Sequence, residues 1–145
     1  RDAILEDRVQ VGLDIVGVTR QLNDLMSRRL AQYGVTIGQL PALLALYAKD
    51  GLTQSELARR TGVEQPTMAL TLKRMTRDGL VRRVTNPADR RAAHIHLTER
   101  AQSIRDALQA SRADLDEIAL GGLSASERLM LANLLRRMAH NLGSV

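Results

Sequence analysis

The chain has 145 residues, a formal net charge of +5, 44% hydrophobic residues and no cysteine. The missing cysteine excludes disulfides, thiolate metal sites and thiol redox sensing, and without an apolar run of about 18 residues no membrane helix is expected. Tyr33 and Tyr47 are the only aromatic residues, so the core must come from Leu, Val, Ile, Met and Ala, which favours helices in one domain or two small intertwined ones. The N-terminus does not read as a signal peptide, and a soluble cytoplasmic protein is expected.

Residues 2–33 carry Ile4, Leu5, Val9, Leu13, Val16, Leu22, Leu25, Met26 and Leu30 at three- and four-residue steps, the period of a long helix. Gly34 stands where a helix C-cap glycine belongs. This helix exceeds the average of about 11 residues, and its apolar residues cover so much of its surface that it needs a partner chain. Thr36 and Gln39 form a capping-box pattern opening a second helix over 37–49, with Val35 and Leu40 placed as its hydrophobic staple. Pro41 removes one early hydrogen bond, so the first turn is expected to be irregular.

Thr53 and Glu56 make another capping box, for a helix over 54–61 that Gly62 stops. Pro66 pre-sets the first turn of the next helix, 65–78. On it Met68, Leu72 and Met75 share one face, while Pro66, Leu70, Lys73 and Arg77 lie opposite, flanked by Thr67 and Arg74. Two short helices joined by a glycine turn are a helix-turn-helix candidate. Residues 80–85 and 93–97 then read as strands around the turn-forming Asn86, Pro87 and Asp89, giving a hairpin. Thr98 caps a long helix over 99–120, broken by Gly121 and Gly122. Ser124 and Glu127 form a further capping box for a last helix over 125–142, whose wide apolar stripe again suggests burial against another subunit.

The fold class expected is mainly α with a small β-hairpin wing, in the order α-α-α-α-β-β-α-α, with room for one extra short strand before the third helix. Residues 35–98 form the winged helix-turn-helix. Residues 1–34 and 99–145 form a helical dimerisation region.

The positive charge has a location. Residues 54–100 hold ten basic and five acidic groups, while 1–53 and 101–145 are each balanced. A basic block on a folded segment is the footprint of a polyanion binder, although charge alone is equally compatible with a solvated basic face.

The order of these pieces resembles the MarR family (multiple-antibiotic-resistance regulators) of bacterial transcription factors over essentially the whole chain. The matching stretches are YGVT at 33–36 with Gln39, LTQSELARRTGV at 52–63, LKRMTRDGLVRR at 72–83, DRRAAHIHLT at 89–98 with the wing pattern Asp89-Arg90-Arg91, and LSASE at 123–127. The resemblance implies a homodimer with a winged helix-turn-helix at each outer end, generally a repressor, which in many members releases DNA when a small anionic or phenolic ligand binds between the two regions. Leu40 stands where an aromatic is common, and Glu64 is a poor cap where Asp or Ser is usual.

The partner so implied is double-stranded DNA carrying a pseudo-palindromic operator. The 65–78 helix would lie in the major groove with its N-terminal residues at base edges: Gln65, Pro66, Thr67, Ala69, Leu70 and Lys73, with Gln65 suited to adenine and Leu70 to a thymine methyl. Lys73, Arg74 and Arg77 suit phosphates. Gln54 and Ser55, at a helix N-terminus with free N–H groups, suit another. By family analogy Arg91 enters a narrow minor groove, Arg90 meets backbone, and Asp89 steadies the wing turn. Leu13, Val16, Arg20, Leu40, Leu44 and Tyr47 are candidates for an effector pocket. No cofactor, metal site or catalytic residue is expected. His94, His96 and His140 supply too few ligands, and neither a nucleophile motif nor a phosphate-cradling glycine loop is present. The competing reading is a winged-helix adaptor that binds protein without DNA.

Overall fold

The computed structural model describes residues 2–145, apart from the side chains of 2–9, 90 and 91. Among these, seven helices and three strands follow the order α1 (Asp2–Ala31), α2 (Leu40–Ala48), β1 (Leu52–Thr53), α3 (Gln54–Thr61), α4 (Gln65–Arg77), β2 (Val81–Asn86), β3 (Asp89–Leu97), α5 (Glu99–Ser103), α6 (Arg105–Ala119) and α7 (Ala125–Gly143). The sheet is antiparallel in the order β1-β3-β2, so the extra strand before the third helix is present. This is the expected winged helix-turn-helix with a helical remainder.

Three elements differ from their predicted extents: β3 starts at Asp89 rather than residue 93, since its pairing with β2 runs on to Asn86 opposite Asp89, and two helices change for identifiable reasons. The second helix starts at Leu40 rather than residue 37. Gln39 N–H bonds Thr36 O and Leu40 N–H bonds Ile37 O, both three residues back, so 36–39 form a tight turn. Only one arm of the capping box is recorded, Thr36 N–H to Gln39 Oε1 at 3.1 Å. The helix predicted over 99–120 breaks at Ile104, because side chains take the carbonyls its ladder would use. Ser103 Oγ bonds Arg100 O at 2.7 Å, and the Tyr47 hydroxyl donates to Ala101 O at 2.5 Å, the acceptors that Ile104 and Arg105 would otherwise claim.

The remaining boundaries follow the caps. Thr53 Oγ1 accepts from Glu56 N–H, and Ser124 and Glu127 close a full box. Glu64 caps α4 without a side-chain bond, as its residue type suggested. Gly34 and Gly79 sit at φ +69° and +73° after α1 and α4, a conformation that costs a Cβ-bearing residue energy. At each, the following residue reaches back across the turn, Val35 to Leu30 O and Leu80 to Met75 O, and both apolar pairs are buried.

One hydrophobic cluster organises the chain. Leu43 and Leu46 of α2, Leu57 of α3, Met68, Leu72 and Met75 of α4, Leu80, and Ile95 of β3 are fully or almost fully buried in it. Leu30 from α1, Ala101 from α5 and Leu108 from α6 join it, so the head's core draws on both flanking helical segments. Arg29 ties α1 to α6 through Asp114 at 2.7 Å and Ser111 O at 3.0 Å. By contrast α7 buries no side chain. Leu129, Met130, Leu131, Leu134, Leu135, Met138 and Leu142 are exposed, as are Val11, Leu13, Val16 and Val18 on α1. No helix among the described residues is long and apolar enough to cross a membrane.

Candidate nucleic-acid interface

The packing of α4 decides which of its residues are available. Burial of Met68, Leu72 and Met75 anchors one face and leaves Gln65, Pro66, Thr67, Ala69, Leu70, Lys73, Arg74 and Arg77 exposed on the rest of the helix. Gly62, at φ +70°, turns the chain from α3 into α4. Thr61 stiffens that corner, donating its hydroxyl to Leu57 O at 2.7 Å and accepting from Val63 N–H at 3.4 Å.

The C-terminal end of α4 is held as firmly. Gln39, buried to 3% exposure, accepts from Thr36 N–H and donates Nε2 to Asp78 Oδ2 at 2.7 Å. Arg77 Nε donates to the other Asp78 oxygen at 3.0 Å. The Arg77 and Gln39 hydrogen bonds hold the Asp78 carboxyl below its ordinary pKa. Arg100 donates to Asp78 O and, at 2.9 Å, to Tyr33 O. One guanidinium thus serves the carbonyl ends of both α1 and α4, where helix dipoles favour a cation. Nothing in the sequence marked Arg100, because its two acceptors are far from it along the chain.

At the other end, α3 and the sheet meet α4. Gln54 Nε2 donates to Gln65 Oε1 at 3.2 Å, and Arg83 Nη2 donates to Gln54 Oε1 at 3.4 Å. Thr53, Gln54, Ser55, Arg83, Thr85, Ala92 and Ala93 line an open pocket of about 450 Å³. A second, of about 430 Å³, runs along α4 past Ala69, Lys73, Thr76 and Arg83. Arg83 and Thr85 were missed by sequence reasoning. Strand alternation could have found them, since they lie at two-residue steps from buried Val81 and so on its side of β2.

The wing is built on the β2–β3 pairing, from Val81 opposite Leu97 to Thr85 opposite Ala93, with an irregularity before Asn86 opposite Asp89. Pro87 and Ala88 turn it, and Asn86 Oδ1 accepts from Ala88 N–H at 3.0 Å. Asp89 is exposed. The side chains of Arg90 and Arg91, on which the wing reading depends, lie outside the described residues; their backbone belongs to β3. His94, exposed, and His96, half-buried, both bond the α2–β1 connection. His94 Nδ1 is 2.8 Å from Gly51 O and His96 Nδ1 is 3.2 Å from Asp50 Oδ2.

The six residues proposed for an effector pocket divide. Leu40, Leu44 and Tyr47 pack in or against the core cluster. Burial of Tyr47 raises its phenol pKa, a shift the nearby Arg105 partly offsets, and the Arg105 guanidinium stands 5.4 Å over the ring. Leu13, Val16 and Arg20 lie exposed on α1.

With this geometry the chain can be set beside known proteins. A family model described as MarR family matches residues 33–92. The transcriptional regulator PA3341 is 34% identical over 93% of this chain and 99% of its own, with a TM-score of 0.75. A MarR transcriptional regulator from Methanosarcina mazei Go1 is 25% identical over 90% of this chain and 94% of its own, at 0.78. A mutant MarR from E. coli complexed with operator DNA shares the fold, at 24% identity over 91% of this chain and 95% of its own and a TM-score of 0.80. Sharing a third of its residues with a transcriptional regulator over nearly its full length, and matching the family model across its head, the chain belongs to the MarR family of transcriptional regulators.

Proposed function

We propose that the chain is a homodimeric repressor that binds an inverted-repeat operator through α4 and the wing and responds to a small ligand. The observation that carries this reading is the exposed row Gln65, Thr67, Ala69, Leu70, Lys73 and Arg74 on a helix anchored from behind. It stands beside an α3 N-terminus whose Ser55 is exposed and whose Gln54 is half-buried. A helix so presented fits the major groove, its small and apolar side chains allowing close approach and its cations meeting phosphates. Arg77, further along, extends the phosphate contacts. Arg91 enters the adjoining minor groove, Arg90 meets the backbone and Asp89 steadies the wing turn. The likeness to a MarR complexed with operator DNA supports the same docking.

Residues 1–34 and 99–145 serve dimerisation, and 35–98 serve DNA. The support is the exposed apolar stripe of α7 and of α1, too extensive to leave in water. Two heads then read half-sites about one DNA turn apart, roughly 34–36 Å. A phenolic or anionic effector near Leu40, Leu44 and Tyr47, reached from Leu13, Val16 and Arg20, would alter head spacing only by binding the two arrangements unequally; the cation of Arg105 over Tyr47 suits an anion there. Such a regulator works in the cytoplasm. A gel shift on the upstream region of its own gene tests the reading. Wild type should retard the duplex and Arg91→Ala should weaken it about tenfold or more. Equal retardation by both removes this account of the wing.

A further inference from the structure

Three side chains from three separate elements form a line at the leading edge of α4: Arg83 of β2, Gln54 of α3 and Gln65 of α4. Arg83 Nη2 stands 3.4 Å from Gln54 Oε1, and Gln54 Nε2 stands 3.2 Å from Gln65 Oε1. An amide side chain can turn over by 180° with little change in shape, so its polarity must be set by its neighbours. Here the neighbour settles it. A guanidinium has donors and no acceptor, so Gln54 must offer it oxygen and can offer Gln65 only its amino group. Gln65 must then turn its oxygen inward to Gln54 and its amino group outward.

We propose that Gln54, oriented by Arg83, is a specificity-determining positioning residue that fixes which way the Gln65 amide faces the base. The inference rests on the DNA-binding reading above and deepens it. Held this way, Gln65 presents N–H donors to the groove and selects a base whose edge offers acceptors there, guanine through N7 and O6 or thymine through O4. The adenine pairing that residue type alone suggests needs an amide oxygen facing the groove, and here that oxygen is engaged by Gln54. The same Arg83 and Gln54 line the pocket between the α3 N-terminus and the sheet, so a phosphate seated there would tighten the line. Contact with the backbone and reading of the base are thereby joined.

The variant that separates this from a simple contact is Gln54→Glu. A carboxylate is nearly isosteric with the amide and still accepts from Arg83, but it has no donor. Gln65 must then turn over to donate to residue 54 and present its oxygen outward, which favours an amino-bearing edge, adenine N6 or cytosine N4. The added negative charge lowers affinity for every duplex by a common factor and leaves base preference to the amide.

The experiment is selection from a randomised duplex pool by full-length wild type, Gln54→Glu, Gln54→Ala and Arg83→Met, followed by anisotropy titrations of duplexes differing at the affected position. Wild type should prefer guanine or thymine at one symmetric position of the half-site by about tenfold. Gln54→Glu should change the preferred base there. Gln54→Ala and Arg83→Met, with the amide free to turn, should reduce discrimination to about twofold. In a Gln65→Ala background Gln54→Glu should change no preference at all, since it acts only through Gln65. Unaltered preference in all three single variants, or an effect of Gln54→Glu that persists without Gln65, overturns the proposal while DNA reading stands. A wild type that enriches no sequence overturns the DNA reading and this inference with it.

Discussion

Residues 35–101 bury most of their apolar side chains against one another, Leu70 and Val84 excepted, whereas α7 buries none and α1 leaves Val11, Leu13, Val16 and Val18 in the open. Both regions have the same kinds of residue at helical spacing. The difference is what surrounds them. In the head, five short elements approach from different directions and a Leu or Met on each finds a neighbour. A 19-residue helix at the chain's end has no such enclosure within one copy. An apolar stripe can therefore mark a finished core or an unfinished interface, and only burial tells them apart.

The largest effect should come from attacking the unfinished side. Leu134→Glu combined with Leu135→Glu places two charges on the exposed stripe of α7. Light scattering should show a dimer become a monomer, with operator affinity falling more than a hundredfold as the two heads lose their link. A double variant that remains dimeric would place the interface elsewhere.

Next in size is a cavity in the finished side. Leu43, completely buried in the head, should cost about 2–5 kcal/mol when changed to Ala, read as a lowered denaturation midpoint. The same change at Leu129, 63% exposed, should leave head stability almost untouched and weaken self-association instead. Similar losses of head stability at the two positions would erase the contrast.

Smaller again is the joint between the regions. Arg100→Ala removes the donor shared by the α1 and α4 carbonyl ends. It should cost about 1 kcal/mol of stability, given that the group is solvent-exposed, and weaken specific binding more than non-specific binding because α4 loses its fixed attitude. The smallest effect is acid-dependent. Asp78 is held below its ordinary pKa by the hydrogen bonds from Arg77 and Gln39. A depressed carboxyl favours the folded state above the unfolded pKa of about 4, and that contribution fades as pH falls through the lower folded value. Asp78→Asn should therefore flatten part of the stability loss below about pH 4 in pH-dependent denaturation.

Much of this was legible in the chain. The buried triad Met68, Leu72 and Met75, the cap glycine Gly34, the N-cap at Thr53, the capping box at Ser124, and the hairpin after α4 all follow from local rules that the surrounding fold does not override. The break at Ile104 was not legible. It depends on the Tyr47 hydroxyl arriving from 54 residues away, and the period of the apolar residues says nothing about which carbonyls are taken. The same holds for the interface. Exposure of the α4 row follows from its periodicity, but the line from Arg83 through Gln54 to Gln65 joins three elements, and Arg83 lies 29 residues from Gln54. Sequence spacing picks out residues that share an element; it does not pick out those that meet across elements.

The central claim, that the exposed face of α4 and the basic block around it grip a duplex, is tested most directly by the salt dependence of affinity for a selected inverted-repeat duplex. Between 50 and 200 mM salt, neutralising roughly 6–10 phosphates should weaken binding about 10³- to 10⁵-fold, with a log–log slope of about −5 to −9. Lys73→Ala should make that slope shallower by about one. A flat dependence, or a slope unmoved by Lys73→Ala and Arg74→Ala together, would contradict the account.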